Sequence, residues 1–138
     1  MKEITVIITI DKMGGIAFGG KRQSRDRELA KDICLSTEGK IYMTEYSARL
    51  FGDYKERVEV SDAPLKKCPD GGTVFLECER LMPYAEYIKK LIVYNWNREY
   101  PADLYSDAKE LTEAGKKHGG YDFAGFSHDK ITKEIYEI

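Results

Sequence analysis

Ile4-Thr5-Val6-Ile7-Ile8-Thr9-Ile10 runs through Asp11 and Lys12-Met13 into Gly14-Gly15-Ile16-Ala17-Phe18-Gly19-Gly20. An unbroken β-branched run reads as a strand buried on both faces, because a half-exposed strand would alternate apolar with polar side chains. The glycines that follow loosen the chain into a loop. A basic cluster comes next, Lys21, Arg22, Arg25 and Arg27, with Asp26 and Glu28 set among it. Buried strand, glycine loop and charged helix start commonly form one wall of a ligand cleft in α/β proteins. The glycines match neither G-x-G-x-x-G nor a Walker loop, so tight turns and loop mobility explain them equally well.

Working outward, Ser24 is placed to cap a helix over about residues 25–35 that buries Leu29, Ile33 and Cys34. Gly39 ends it, and residues 40–43 form a short strand. Thr44 caps a second short helix, with Gly52 as its stop. Residues 57–60 alternate as a strand, and Pro69-Asp70-Gly71-Gly72 closes a turn-rich loop. Residues 73–76 are a strand, and 80–90 read as a helix with Pro83 in its first turn. Residues 91–96 are the second clear strand. A polar helix is expected near 107–114, a loop at His118-Gly119-Gly120, and a closing antiparallel hairpin of 121–126 with 131–138. This order predicts a single α/β domain over 1–138, a mixed sheet flanked by helices with a C-terminal hairpin.

Composition narrows the function classes. The 138 residues are 42% hydrophobic with ten tyrosines, enough for a packed core and unlike a disordered chain. A net charge of -2 gives no general attraction to nucleic acid or membrane, so any basic site must be local. Cys34, Cys68 and Cys78 lack a C-x-x-C spacing and read as reduced thiols, which with no signal peptide visible points to the cytoplasm. His118 and His128 belong to no H-E-x-x-H or other His/Asp motif, so no metal site is expected. Nor does G-x-S-x-G or a Cys/His pairing suggest a hydrolase.

The order of elements resembles the dihydrofolate reductase family. Residues 4–10 and Asp11-Lys12-Met13-Gly14-Gly15-Ile16 look like its first strand and the loop that covers the cofactor. Ile41-Tyr42-Met43 is similar to its second strand. Phe75-Leu76 and Lys90-Leu91-Ile92-Val93-Tyr94 are similar to its central strand and the next, and Ser127-His128 with Glu134-Ile135 to its closing hairpin. The resemblance implies that Glu28 is the active-site carboxylate, which holds the amino-pyrimidine edge of a pterin, and that the hydroxyl of Tyr94 partners it. Glu28 is equally an acid in a first helical turn, where the macrodipole favours it.

The departures fall on the cofactor. Where the family carries Gly-Arg-x-Thr to grip NADPH, this chain has Thr44-Glu45-Tyr46-Ser47. Where the family has a glycine pair against the pyrophosphate, it has Glu77-Cys78, followed by Glu79, and Arg22-Gln23 stand near the usual Pro-Trp. Glu45 and Glu77 would repel phosphate, and the Cys78 side chain intrudes, so NADPH is disfavoured. The leading expectation is a small anionic or nucleotide-like ligand between the glycine loop and the first helix. Its expected contacts are Gly19, Gly20, Lys21, Arg22, Arg25, Arg27, Thr44, Tyr46 and Ser47. Two alternatives stay open: an NAD(P)H-dependent reductase of a pterin-like heterocycle using Glu28 and Tyr94, and a non-catalytic interaction scaffold, with a homo-oligomer compatible with either. Phe18, Trp96 and Tyr100 read as packing residues, and Cys78 as a small buried one.

Overall fold

The protein, a computed structural model describing residues 2–138, is built outward from its first strand. The chain runs β1 (Ile4–Ile10), β2 (Gly15–Ala17), α1 (Arg27–Ser36), β3 (Ile41–Met43) and α2 (Glu45–Ala48). It continues through β4 (Val58–Val60), α3 (Pro64–Lys67), β5 (Thr73–Phe75), β6 (Ile88–Asn95), β7 (Leu104–Tyr105), α4 (Ala108–Thr112), β8 (Lys116–Phe123) and β9 (Ile131–Glu137). Seven strands form one sheet in the order β4-β3-β5-β1-β6-β9-β8. The first five of these are parallel, and β9 and β8 join antiparallel.

The β-branched run of β1 is explained by its two neighbours and two cores. Ile7 lies in register with Phe75 of β5 and Ile92 of β6. These three side chains meet Leu29 and Ile33 of α1 on one face. Ile4, Val6 and Ile8 point to the opposite face, where Val74, Leu91 and Val93 pack with Leu65 of α3 and Leu111 of α4. Both faces are covered, so no polar alternation is needed. Phe51 closes the first core, edge to face with Phe75 at 5.4 Å between centroids.

Thr44 caps α2 as expected, its hydroxyl accepting the Ser47 N–H. Other boundaries differ. Asp26, not Ser24, caps α1, accepting the Glu28 N–H at 2.9 Å. Gly52 does not stop the second helix, because 3₁₀ turns carry the chain on through Arg49–Arg57, kinked at Phe51 and Tyr54. Arg57 then donates to the carbonyls of Cys34, Thr37 and Gly39, satisfying the end of α1.

The expected helix over 80–90 is a 3₁₀ turn, Met82–Tyr87, and β6 already begins at Ile88. Buried Asp107 fixes this turn by accepting the N–H groups of Leu81 and Met82 at 2.7 and 2.9 Å. His118-Gly119-Gly120 is not a loop but part of β8. Gly120 has φ +148°, and a Cβ there would collide with the Lys133 carbonyl oxygen across the ladder. The antiparallel ribbon of β2 with β7 was not foreseen. Among the described residues no helix is long and apolar enough to cross a membrane.

Candidate functional site

Asp11 at the end of β1 organises the glycine loop. It accepts the N–H groups of Met13, Gly15 and Tyr100 and the side-chain amide of Gln23, at 2.8 to 3.1 Å. Burial opposes its ionisation, but these bonds outweigh burial and hold its carboxyl below the usual carboxylate range. Gly15 is required here, since a Cβ would come within 2.7 Å of Ala102 and 2.9 Å of the Asp11 carboxylate. Gly19 and Gly20, at φ +61° and +75°, make the tight turn between Phe18 and Lys21. Gly19 donates its N–H to Asp103. The Phe18 side chain does not pack under the loop; it is 56% exposed, because the turn aims it at solvent.

Arg22 leaves this loop and turns inward. Its guanidinium makes a two-pronged pair with Glu77, 2.9 Å on each prong, and donates to the Tyr46 carbonyl. It also stacks over the Tyr46 ring at 3.9 Å, while the Tyr46 hydroxyl accepts the Arg22 N–H. Ser47 donates to Glu77 at 2.7 Å, so both Glu77 oxygens are taken, and its side chain is only 4% exposed. Of the expected ligand contacts, Arg22, Tyr46 and Ser47 are thus brought together with Glu77, and satisfy one another.

Arg25 and Arg27 take the other direction. With Asp26 between them, Arg49 and Leu50 after α2, and Phe126 and Ser127 from the β8–β9 connection, they line an open pocket of about 400 Å³. A neighbouring pocket of about 430 Å³ shares Arg27, Arg49 and Leu50 and is lined also by Glu28 and Asp53. Arg27 lies over the Phe126 ring at 3.6 Å. Among the described residues none of the three guanidinia forms an ion pair. Arg49 was missed from the sequence, because nothing local joins it to Arg25 and Arg27. Lys21, Gly19 and Gly20 line neither pocket.

Glu28 and Tyr94 do not meet. The Tyr94 hydroxyl donates to Asp32 at 2.6 Å, and Tyr121 and Lys133 converge on the same carboxylate. Burial, and then Asp32, push the Tyr94 hydroxyl far above its usual range. Residues 28 and 32 share a helix face one turn apart, so the helical period allowed either acid. Tyr94 and Trp96 are buried, as packing residues should be.

His128 does belong to a cluster. Its Nδ1 lies 2.9 Å from the Asp26 carboxylate, its Nε2 2.9 Å from the Tyr100 hydroxyl and 3.0 Å from Ser24 Oγ, and Trp96 stacks on the ring. Nothing in the sequence marks these partners, which lie far apart along the chain.

No protein-family model matches the chain, and no curated protein matches it. Among solved structures, the chain is similar to a dihydrofolate reductase from Enterococcus faecalis complexed with NADP(H) and RAB-propyl. The TM-score is 0.61 at 15% identity, over 98% of this chain and 95% of that one. The chain therefore has the dihydrofolate-reductase-like fold.

The solved neighbour is complexed with NADP(H); the residues of this chain at Glu77 and Cys78 do not fit a dinucleotide's phosphates. Glu77 is a buried carboxylate already neutralised by Arg22. Cys78 carries a side chain at φ +61°, where glycine would be unstrained.

Burial, with Glu77 beside it, pushes the Cys78 thiol up to about 11. Burial also raises Cys34 and Cys68. A thiol reagent at pH 7 is therefore expected to label none of the three quickly in the native state and all three in urea, since only the thiolate reacts. Rapid native labelling of Cys78, read by mass spectrometry, would contradict this placement.

Proposed function

We propose that the protein binds a small anionic ligand with a flat apolar portion, in the cleft between the start of α1, Arg49-Leu50 and the Phe126 loop. The observation that carries this reading is the set of three guanidinia, Arg25, Arg27 and Arg49, around one pocket, none of them ion-paired among the described residues. The one carboxylate in the lining, Asp26, is occupied by backbone N–H groups and His128. Like charges so gathered repel one another, and an anion relieves that repulsion. Arginine forks match phosphate and carboxylate, while Leu50 and Phe126 offer apolar contact to a ring. Nucleotide monophosphates meet both requirements.

Calorimetric titration at low salt with inorganic phosphate and with nucleoside monophosphates tests this. Binding is expected to be tighter for the nucleotide and to weaken with salt. Arg27→Ala and Arg49→Ala should each weaken it at least tenfold, since a charge-assisted bond contributes roughly 1.5–3 kcal/mol. Arg80→Ala, whose side chain lies near Asp107 instead, should leave it unchanged. Absence of heat with every anion, or unaltered affinity in the Arg27/Arg49 double variant, would refute the reading.

A further inference from the structure

Ser24 was expected to cap α1, but Asp26 holds that position, and the Ser24 hydroxyl turns to His128. The resulting line is Ser24 Oγ, 3.0 Å to His128 Nε2, then His128 Nδ1, 2.9 Å to Asp26 Oδ2. Asp26 is fixed at both oxygens: Oδ1 accepts the N–H groups of Glu28 and Phe126, and Oδ2 accepts the Ser127 N–H and hydroxyl. Burial opposes its charge, yet these bonds with that of His128 hold its carboxyl at about 2, so it is an anion that can only accept. Nδ1 therefore carries the ring proton, and the Nε2 lone pair faces hydroxyl groups. Trp96, stacked at 4.6 Å between centroids, fixes the ring plane. Imidazole and carboxylate are buried while Ser24 is half-exposed, so the base is dry and the hydroxyl reachable.

We propose that Ser24 is a nucleophile, with His128 its general base and Asp26 the residue that positions the imidazole, and that the protein accepts acyl groups from carboxylic esters. In the first step the Ser24 proton passes to His128 Nε2 as Oγ bonds to the carbonyl carbon. Collapse breaks the bond to the leaving alkoxide, which takes that proton from His128. Water then gives a proton to His128 and attacks the acyl carbon; the bond to Oγ breaks, and Ser24 regains its proton. Ester and water become acid and alcohol, with no co-reactant beyond solvent. Tyr100 is the regulator of this geometry. Its hydroxyl lies 2.9 Å from the same Nε2, and since that atom has one lone pair, Ser24 and Tyr100 compete for it.

The test uses an uncharged alkyl fluorophosphonate, so its outcome is independent of the arginine cleft, together with hydrolysis of p-nitrophenyl acetate. The full chain at pH 8 should acquire one adduct, mapped to Ser24 by mass spectrometry, and release nitrophenol with a burst. Ser24→Ala should lose both with its thermal unfolding unchanged. Tyr100→Phe should label several-fold faster, a gain that a purely structural hydrogen bond would not produce. Asp26→Asn should label roughly a hundredfold more slowly, with a shifted pH profile. No adduct at Ser24, labelling that survives Ser24→Ala, or no gain in Tyr100→Phe would overturn the proposal. If Asp26→Asn fails to fold, the Ser24 and Tyr100 variants decide it.

Discussion

Asp26→Ala is expected to lower the unfolding free energy by about 4 kcal/mol, as the sum of a lost cap and newly orphaned buried groups. Asp26 is buried and joins three parts of the chain: the first turn of α1, the 126–127 backbone and the His128 ring. An N-cap alone is typically about 1 kcal/mol. The imidazole, buried out of reach of water, would lose its acceptor at about 1–3 kcal/mol, while the half-buried Phe126 and Ser127 bonds would add about 0.5–1.5 kcal/mol each. Urea unfolding gives the total. The same carboxylate sets part of the acid limit. Its pKa is depressed from 3.8 to about 2, so its contribution is complete above the unfolded value and is lost as pH falls through the folded one. The shift corresponds to about 2 kcal/mol. The wild-type stability curve should therefore drop between pH 4 and 2 by about that much more than the Asp26→Ala curve. Parallel curves would show that Asp26 is not held as the geometry indicates.

Arg22→Ala carries the second large effect, a loss of roughly 3–5 kcal/mol, because it leaves the buried Glu77 charge without its counter-ion. Among the described residues Ser47 would remain as the sole donor to Glu77, and it cannot neutralise the charge. The pair itself is not the source of stability, since withdrawing both charges from water opposes the attraction between them. Replacing both residues, as Arg22→Met with Glu77→Leu, should recover most of the loss. A double variant as unstable as Arg22→Ala would assign the effect to the Tyr46 stacking instead. Because Arg22 is buried in this pair, neither variant should affect anion binding at Arg27 and Arg49.

Several elements were legible before folding was considered. The β-branched run at 4–10, the short strands expected at 40–43 and 73–76 and found at 41–43 and 73–75, and the pairing of the last two strands all follow from local pattern. β8 starts at Lys116 rather than at 121, but the order of the elements pointed to the observed sheet. Thr44 as a cap was legible because its role needs only the next three residues. Boundaries failed where distant groups intervened. Asp107 clamps the turn at Leu81 and Met82 from 26 and 25 residues away, and segment 80–90, helical by composition, yields to β6. The glycines at 119 and 120 look like a loop but lie within β8, where Gly120 serves a close strand approach. The resemblance to a reductase directed attention to residues 22, 28, 77 and 94. It could not tell that Tyr94 would choose Asp32 over Glu28.

By itself the sequence determined the architecture: hydrophobic periodicity decides which faces are buried, and that property is carried by neighbours a few residues apart. Tertiary structure alone decided the polar pairings. Arg22 and Glu77 are 55 residues apart, Asp32 and Tyr94 62, and Asp26 and His128 102. A hydrogen bond or ion pair depends on tenths of an ångström and on burial, which are settled only when the sheet closes. For that reason the glycine loop that looked like a cradle is a pinned turn. Arg22 is consumed inside the protein, and the unpaired charge gathers at Arg25, Arg27 and Arg49.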